Sequence, residues 1–263
     1  MEDSLVFSSR QFRNPARQPL ARCLMTAITW SFRWEGKPEA RDWSEGLPPT
    51  DFSRITPFRK VRASTRSKNI PARAWSQTVG RVLDVESGLE HDLVRKLDRD
   101  PQVEWLAPQP CRVSWVTPSG RKSHIPDVLS VDASKLVTIW DARPVEKQDA
   151  EFLEAVPVTR EACAAFGWSY QLFAELDRVE KLNLLWLQGF RRPPSWIDSV
   201  RPLIIEEVRL HSLVALGELM RLDRGDGRVK AGIWHLIWSG DLTCDLQRRI
   251  DLDSEIRTSV GAL

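Results

Sequence analysis

The chain has 263 residues, of which 38 are Lys or Arg and 36 are Asp or Glu, so the formal net charge is +2. This length supports one large domain or two modest ones, and a charge so near zero argues against a uniformly basic nucleic-acid binder. No apolar run approaches about 18 residues, and no basic segment followed by an apolar one stands near the first residues, so we expect neither a membrane span nor an export signal. The four cysteines form no C-x-x-C pair, so we expect a cytoplasmic protein without disulfide or zinc scaffolds.

The net charge hides an asymmetry along the chain. Residues 1–80 hold 14 Lys and Arg against 7 Asp and Glu, whereas residues 81–263 hold 24 against 29. Residues 1–74 are predicted to form a basic, partly irregular arm, either a solvated linker or a segment that contacts DNA. The candidate DNA contacts in this arm are Arg59, Lys60, Arg62, Arg66 and Lys68.

The first elements are predicted from hydrophobic periodicity. Residues 30–34 alternate and predict a short strand, and four-residue spacing of Val85, Leu89, Leu93 and Leu97 predicts an amphipathic helix over 84–98. Strands are predicted over 111–116, 124–131 and 136–142, with a hairpin turn at 117–120. A helix over 159–166, capped by Thr159, and a strand over 169–173 follow. This order indicates an α/β domain over 75–195 with a mixed central sheet flanked by helices.

The C-terminal region, residues 196–263, begins after Pro193-Pro194. A mostly helical stretch over 203–222, a turn at 224–227 and a helix over 229–238 precede a strand or turn at 241–246. Short helices followed by extended segments predict a small helical, winged-helix-like module.

Acidic residues occupy unusual places in this pattern. Glu86 and Glu90 share one face of the first helix, while Asp127 and Asp141 lie within apolar strands. A carboxylate among Val, Ile and Leu is costly to bury unless it meets a cation or hydrogen-bond donors. Carboxylates on neighbouring strands, with a helix carboxylate above them, predict a cage for Mg²⁺ that could hydrolyse a phosphodiester. Taken singly, each acid is equally consistent with a turn former or an ion-pair partner.

At these residues the chain resembles a known family. The order Glu, Pro-Asp and Asp-x-Arg resembles the restriction-endonuclease-like nuclease core, and more narrowly the TnsA-type endonuclease subunits of heteromeric transposases, particularly those of actinobacteria. The resemblance covers residues 75–196. The matching segments are ESGLE (86–90), LDRDPQV (97–103), QP (109–110), SHIPD (123–127), WDARP (140–144), AC (162–163), GWSY (167–170) and NLLWL (183–187).

The resemblance implies roles for particular residues. Glu90, Asp127 and Asp141 would hold Mg²⁺, for which Mn²⁺ substitutes, and Arg143 stands where the family has Lys. Arginine keeps its proton and cannot act as a base, but it can hold a phosphate with two parallel hydrogen bonds. Glu86, Lys122 and Lys147 are accessory candidates, and Arg191 and Arg192 are candidate DNA contacts.

The implied function is cleavage of the 5′-end strand at transposon ends during DNA transposition, in the bacterial cytoplasm and at the nucleoid. The implied partners are double-stranded DNA, an integrase-type transposase and an ATPase regulator of the transposon. Two alternatives stay open. One is a catalytically impaired assembly protein that recruits the transposase, and the other is a stand-alone restriction-type nuclease.

Overall fold

The computed structural model describes residues 28–35, 37–42, 51–59 and 70–259, with the backbone alone described for 37–42. Within these ranges no helix has both the length and the apolar character needed to cross a membrane. The buried apolar side chains of the same ranges form hydrophobic clusters, two before residue 180 and one centred on the C-terminal region.

The described chain contains both helices and strands, with a mixed sheet among them, which confirms the predicted α/β class. The strands are β1 (Thr29–Trp34), β2 (Lys37–Asp42), β3 (Ile55–Thr56), β4 (Ala72–Ser76), β5 (Arg81–Val85), β6 (Val103–Pro108), β7 (Cys111–Thr117), β8 (Gly120–His124), β9 (Val128–Asp132), β10 (Val137–Ala142), β11 (Ser169–Phe173), β12 (Val214–Ala215), β13 (Leu242–Thr243) and β14 (Glu255–Thr258). The helices are α1 (Gly88–Arg99), α2 (Ala150–Ala164), α3 (Arg178–Leu187), α4 (Ile197–His211), α5 (Leu216–Met220) and α6 (Arg228–Ser239).

The central sheet is mixed, as predicted, and its strand order is β11-β10-β9-β6. Strands β6 and β10 lie antiparallel to β9, whereas β11 lies parallel to β10. A parallel pair requires a crossover, which α2 supplies between β10 and β11. The sequence pattern does not predict β6, because prolines at 101, 108 and 110 surround its short apolar run and prolines usually mark loops.

A second sheet is antiparallel, in the order β2-β1-β7-β8, with β3 paired to β1. The predicted strand at 30–34 and the predicted hairpin turn at 117–120 are both confirmed. Strand β7 therefore belongs to this second sheet and not to the mixed sheet that the chain order suggested. Strands β4 and β5 form a separate hairpin beside α1.

The described part of the predicted N-terminal arm is built into the core. Trp30 pairs with Val113 of β7, and Trp30 and Phe32 are 0% and 2% exposed. Phe52 and Ile55 join the same hydrophobic cluster, which continues to β10 and α2. An irregular arm does not describe residues 28–35 and 51–58, because β1 pairs with β7 and its apolar face is buried in the same hydrophobic cluster as that of β7. Lys60, Arg62, Arg66 and Lys68 lie outside the described residues.

Three predicted boundaries are wrong for local reasons. The first helix begins at Gly88, since Ser87 caps it and residues 81–85 form β5, so Glu86 precedes the helix and does not share a helical face with Glu90. Helix α2 begins at Ala150 with Asp149 as its cap and continues through Pro157, a residue that usually ends a helix. The predicted strand over 124–131 is interrupted, because β8 ends at His124 and β9 begins at Val128. Asp127 therefore lies in the connection between two strands.

The C-terminal region has the order helix, strand, helix, helix, strand, strand. Its sheet order is β12-β14-β13, and its core is formed by α4, α5 and α6. The helix predicted over 203–222 ends at His211, where Ser212 adopts a left-handed conformation (φ 61°), and α5 follows β12. The helix predicted over 229–238 is confirmed within one residue at each end. Leu187 of α3 packs into this core, which joins the region to the preceding domain.

Candidate active site

Glu90 is fixed by the N-terminus of α1. The Ser87 hydroxyl donates to Glu90 Oε1 (2.9 Å) and accepts from the Glu90 backbone N–H (3.1 Å), while the Glu86 backbone N–H donates to Glu90 Oε2 (2.8 Å). This is a capping-box arrangement, in which a Ser and a Glu three residues later satisfy the first amides of a helix. Glu90 is 4% exposed. The S-x-x-E spacing therefore places a buried carboxylate at the beginning of α1.

Asp127 is held by its backbone and by one carboxylate oxygen. Its N–H donates to the carbonyl of Trp140 (3.0 Å), and its own carbonyl accepts from the N–H of Gln109 (2.7 Å). Its Oδ2 accepts from the Ala142 N–H (2.8 Å) at the end of β10. Asp127 and Asp141 are therefore brought together by the antiparallel pairing of β9 with β10, as the sequence predicts.

Asp141 is 1% exposed and receives two side-chain donors. His124 Nε2 lies 2.8 Å from Asp141 Oδ2 and 3.0 Å from Oδ1, and the Tyr170 hydroxyl donates to Oδ2 (2.5 Å). Sequence reasoning missed both partners. In the predicted continuous strand over 124–131, the side chains of His124 and Asp127 would lie on opposite faces, since they are three residues apart. The break between β8 and β9 removes that constraint. Tyr170 faces Asp141 because β11 pairs in parallel with β10, and no local pattern carries that information.

The carboxylates act on one another electrostatically. Burial raises the pKa of Asp127 well above its ordinary value of 3.8, and the negative charges of Asp141 and Glu90 raise it further. Burial also raises the pKa of Glu90, against its hydrogen bonds to Glu86 and Ser87. The cation of Arg59 lowers the pKa of both groups but does not outweigh burial. Bound positive charge would relieve this repulsion, which is the electrostatic condition of a cation site.

The raised pKa of Asp127 predicts how stability depends on pH. A carboxyl group with a higher pKa in the folded state binds protons more tightly there, so its contribution to stability falls as pH rises from about 4 upward through the raised pKa. In metal-free buffer the melting temperature of Asp127→Asn, relative to that of the wild type, should therefore increase as pH rises from 4 to 8. His91, whose pKa burial lowers, titrates in both proteins and cancels from the difference. A difference that is constant with pH would contradict this assignment.

Arg143 extends over the ring of Phe152 and faces Asp149. Its Cζ atom lies 4.6 Å from the ring centroid, and Nη1 lies 3.6 Å from Asp149 Oδ1. Two accessory candidates are also engaged: Lys122 pairs with Glu154 (2.5 Å), and Glu86 pairs with Arg59. Lys147, the third, is exposed on a short 3₁₀ turn at Val145–Lys147.

A cavity of about 330 Å³ opens beside these groups. Asp127 and Asp141 line it together with cationic side chains. These cations are Arg59, Arg112, Lys122 and Arg143. Glu90 and Lys147 do not line it, so Glu90 acts on the cavity through its charge on Asp127. Negative and positive groups on the walls of one cavity suit a ligand that carries a phosphate and a divalent cation.

The predicted DNA contacts at the domain junction lie elsewhere. Arg191 Nη1 donates to the Gln188 carbonyl (2.8 Å), and Arg192 lies over Trp75, 4.9 Å from its ring centroid. Neither arginine lines the cavity. Of the predicted DNA-contacting residues that the structure describes, only Arg59 does.

The site contains oxygen atoms suited to a divalent cation, but they are not arranged as a preformed set of ligands. Glu90, Asp127 and Asp141 offer the oxygen ligands that Mg²⁺ prefers, and the raised pKa values mark uncompensated negative charge. Both oxygens of Asp141 face His124, however, and both oxygens of Glu90 accept protein hydrogen bonds. Among the described residues no group of three or more His, Cys, Asp or Glu side chains is arranged to hold a metal ion.

Comparison with known proteins identifies no relative. No protein-family profile matches the chain, and no curated protein has significant sequence similarity to it. The functional argument therefore depends on the geometry of the site and on the sequence motifs.

Proposed function

We propose that this chain is a Mg²⁺-dependent DNA endonuclease, the strand-cleaving subunit of a TnsA-like heteromeric transposase. One observation carries the proposal: Asp127 and Asp141, with Glu90 acting on Asp127, form an acidic group under mutual repulsion beside a cavity lined with arginine and lysine. Its substrate would be the phosphodiester of transposon-end DNA. An integrase-type transposase and an ATPase regulator would be its partners.

The order of elements supports a restriction-endonuclease-like core. The mixed sheet and its helices comprise, in chain order, a helix that carries a carboxylate (α1), three antiparallel strands (β6, β9 and β10), a crossover helix (α2) and a parallel strand (β11). Strands β7 and β8 of the second sheet lie between β6 and β9 in the chain. Pro-Asp precedes the second strand, and Asp-x-Arg ends the third. In the C-terminal region the order helix, strand, helix, helix, strand, strand supports a winged-helix-like module.

In this mechanism the chain positions charge around a phosphate. When bound at Asp127 and Asp141, with Glu90 contributing, Mg²⁺ would supply Lewis-acid stabilisation and activation of water. Arg143 would hold the scissile phosphate through guanidinium edges that the stacking on Phe152 leaves open, and it would stabilise developing negative charge. His124 and Tyr170 would orient the carboxylate of Asp141 by their hydrogen bonds.

The test is strand cleavage by the full chain. The purified protein, together with its partner transposase and duplex DNA carrying transposon ends, is incubated with Mg²⁺, Mn²⁺ or EDTA. We expect a break in the strand that ends 5′ at the transposon boundary with either metal, and none with EDTA. Cleavage that persists unchanged in EDTA would contradict the metal-dependent mechanism.

A second function is favoured by the hydrogen bonds around Asp141. Because His124 and Tyr170 already engage Asp141, and Arg143 replaces the lysine of the family, the chain would serve as a non-catalytic assembly protein. Metal binding separates the two functions without relying on activity. A melting temperature that rises when Mg²⁺ is added supports the endonuclease. A melting temperature that does not change with Mg²⁺ supports the assembly protein.

Substitution of Arg143 tests the proposed phosphate contact. Arg143→Ala removes a donor aimed at developing charge, and such losses lower cleavage by about 10²–10³-fold. Arg143→Lys keeps a cation of similar reach, so cleavage should stay within about tenfold of the wild type. The remaining loss arises because Lys cannot bind a phosphate through two parallel hydrogen bonds. Single-turnover cleavage rates measure both variants. Equal rates for Arg143→Ala and the wild type would exclude Arg143 from the reaction.

A further inference from the structure

The exposed face of the second sheet has an unusual composition. Strand β7 alternates strictly, burying Cys111, Val113 and Trp115 while Arg112, Ser114 and Val116 lie on the other side. Directly opposed residues of antiparallel strands share a face. The pairs on this outer face are Ser31 with Arg112, Ser114 with Ser123, and Val116 with Arg121. Arg33 lies two residues after Ser31 on β1 and therefore shares the face.

Along the described side chains of β1, β7 and β8, this face is cationic and carries no carboxylate. The described positions of β1, β7 and β8 that share it carry arginine, hydroxyl and apolar side chains, and none is Asp or Glu. By contrast, three cations that line the cavity are each paired with a carboxylate within 4.0 Å, namely Arg59, Lys122 and Arg143. In the described part of the chain Arg33, Arg112 and Arg121 form no such ion pair. Their charge is therefore available to an external anion.

Phe58 fixes the position of Arg112. The Arg112 Cζ atom lies 4.4 Å from the centroid of the Phe58 ring, and the Arg33 Cζ atom lies 5.9 Å from the same centroid. Arg33 Nη1 also donates to the Phe58 carbonyl (3.2 Å). A guanidinium stacked on an aromatic face keeps its N–H edge directed outward, which suits two-pronged binding of phosphate oxygens. Arg143 on Phe152 repeats this arrangement at the same cavity.

The outer face is continuous with the candidate active site. Arg112 and Ser123 belong to the face and also line the cavity that contains Asp127 and Asp141. A polyanion lying on β7 and β8 would therefore lead directly to the carboxylates. Arginine and serine are among the side chains that donate hydrogen bonds to nucleic-acid backbones.

We propose that the outer face of β1, β7 and β8 binds the phosphodiester backbone of duplex DNA, and that Arg112, held on Phe58, clamps a phosphate next to the cleaved one. The choice of DNA as ligand rests on the proposed endonuclease function. The surface itself is argued from its charge and from its continuity with the cavity, and it needs no metal to bind.

The test is equilibrium binding of a fluorescent 30-base-pair duplex in EDTA, measured by anisotropy over a series of salt concentrations. Arg112→Ala and Arg121→Ala should each weaken binding several-fold and lower the slope of log K against log salt by about 1. Arg112→Lys should lose less affinity, because its charge remains. The matched control is Arg81→Ala, since Arg81 also stacks on an aromatic ring, that of Trp105 at 5.3 Å, but does not line the cavity.

The outcomes separate this surface from the endonuclease proposal. Loss of affinity in Arg112→Ala and Arg121→Ala supports the surface even if the wild type cleaves nothing. If both variants bind like Arg81→Ala, the surface is wrong, even if cleavage by the wild type depends on Mg²⁺. Thermal melting confirms that each variant is folded. Arg121, exposed at the start of β8, provides the decisive comparison if Arg112→Ala is unstable.

Discussion

Replacing Asp127 by Asn is expected to abolish metal-dependent cleavage while stabilising the metal-free protein. The amide oxygen of Asn can still accept the Ala142 N–H, so the local hydrogen bond survives. The negative charge that Asp141 and Glu90 oppose disappears, and so does a proposed metal ligand. We therefore expect no detectable metal-dependent cleavage, because the ion that would activate water loses a ligand. The metal-free melting temperature at pH 8 should rise by roughly 2–4 °C, which corresponds to about 1 kcal/mol in a protein of this size.

Magnesium should reverse the order of the melting temperatures of the wild type and Asp127→Asn. A ligand that binds only the folded state raises its stability, so Mg²⁺ should raise the melting temperature of the wild type and leave that of Asp127→Asn unchanged. Asp84→Asn is the matched control, because Asp84 is exposed on β5 and pairs only loosely with Arg73 (3.4 Å). Asp127→Asn that still cleaves DNA would refute the endonuclease proposal. A lower melting temperature in metal-free buffer would refute the repulsion among the carboxylates.

The sequence predicts the acidic group because each of its members has a local signature. Glu90 lies on the predicted amphipathic helix, and Asp127 follows a proline within a predicted apolar strand. Asp141 sits at a buried position of an alternating strand. Pairing of adjacent strands then brings Asp127 and Asp141 to one place, with no distant contact required. The mixed character of the central sheet also follows from this local order, but its membership does not, because β6 joins the sheet while β7 and β8 belong to the second one.

The partners of these groups depend on contacts that sequence spacing does not encode. Tyr170 reaches Asp141 only through the parallel pairing of β10 with β11, 29 residues apart in the chain. Arg112 meets Phe58 across the gap between β3 and β7. Local signals also mislead: Pro157 predicts a helix boundary, yet the packing of Phe152, Ala155 and Ala162 in the core holds α2 continuous around it.

Trp30→Ala is expected to destabilise the hydrophobic cluster that joins β1 to β7, β10 and α2. Trp30 is fully buried, and its ring lies 6.2 Å from that of Phe32 and 5.7 Å from that of Trp168. Truncation of a buried Trp costs about 3–5 kcal/mol, a large part of the stability of a typical domain. Urea unfolding measures the loss. Trp186→Ala is the control, because Trp186 is 56% exposed and its removal leaves no buried cavity.

The result decides how the basic N-terminal segment can be tested for DNA binding. If Trp30→Ala unfolds like Trp186→Ala, residues 28–35 are dispensable and deletion of residues 1–74 is a fair experiment. If Trp30→Ala loses several kcal/mol, that deletion removes β1 and much of the hydrophobic core, so loss of DNA binding would report unfolding. Charge substitution in the intact chain, at Arg62, Arg66 and Lys68 together, then becomes the appropriate test, since it removes cations and leaves Trp30 and Phe32 in place.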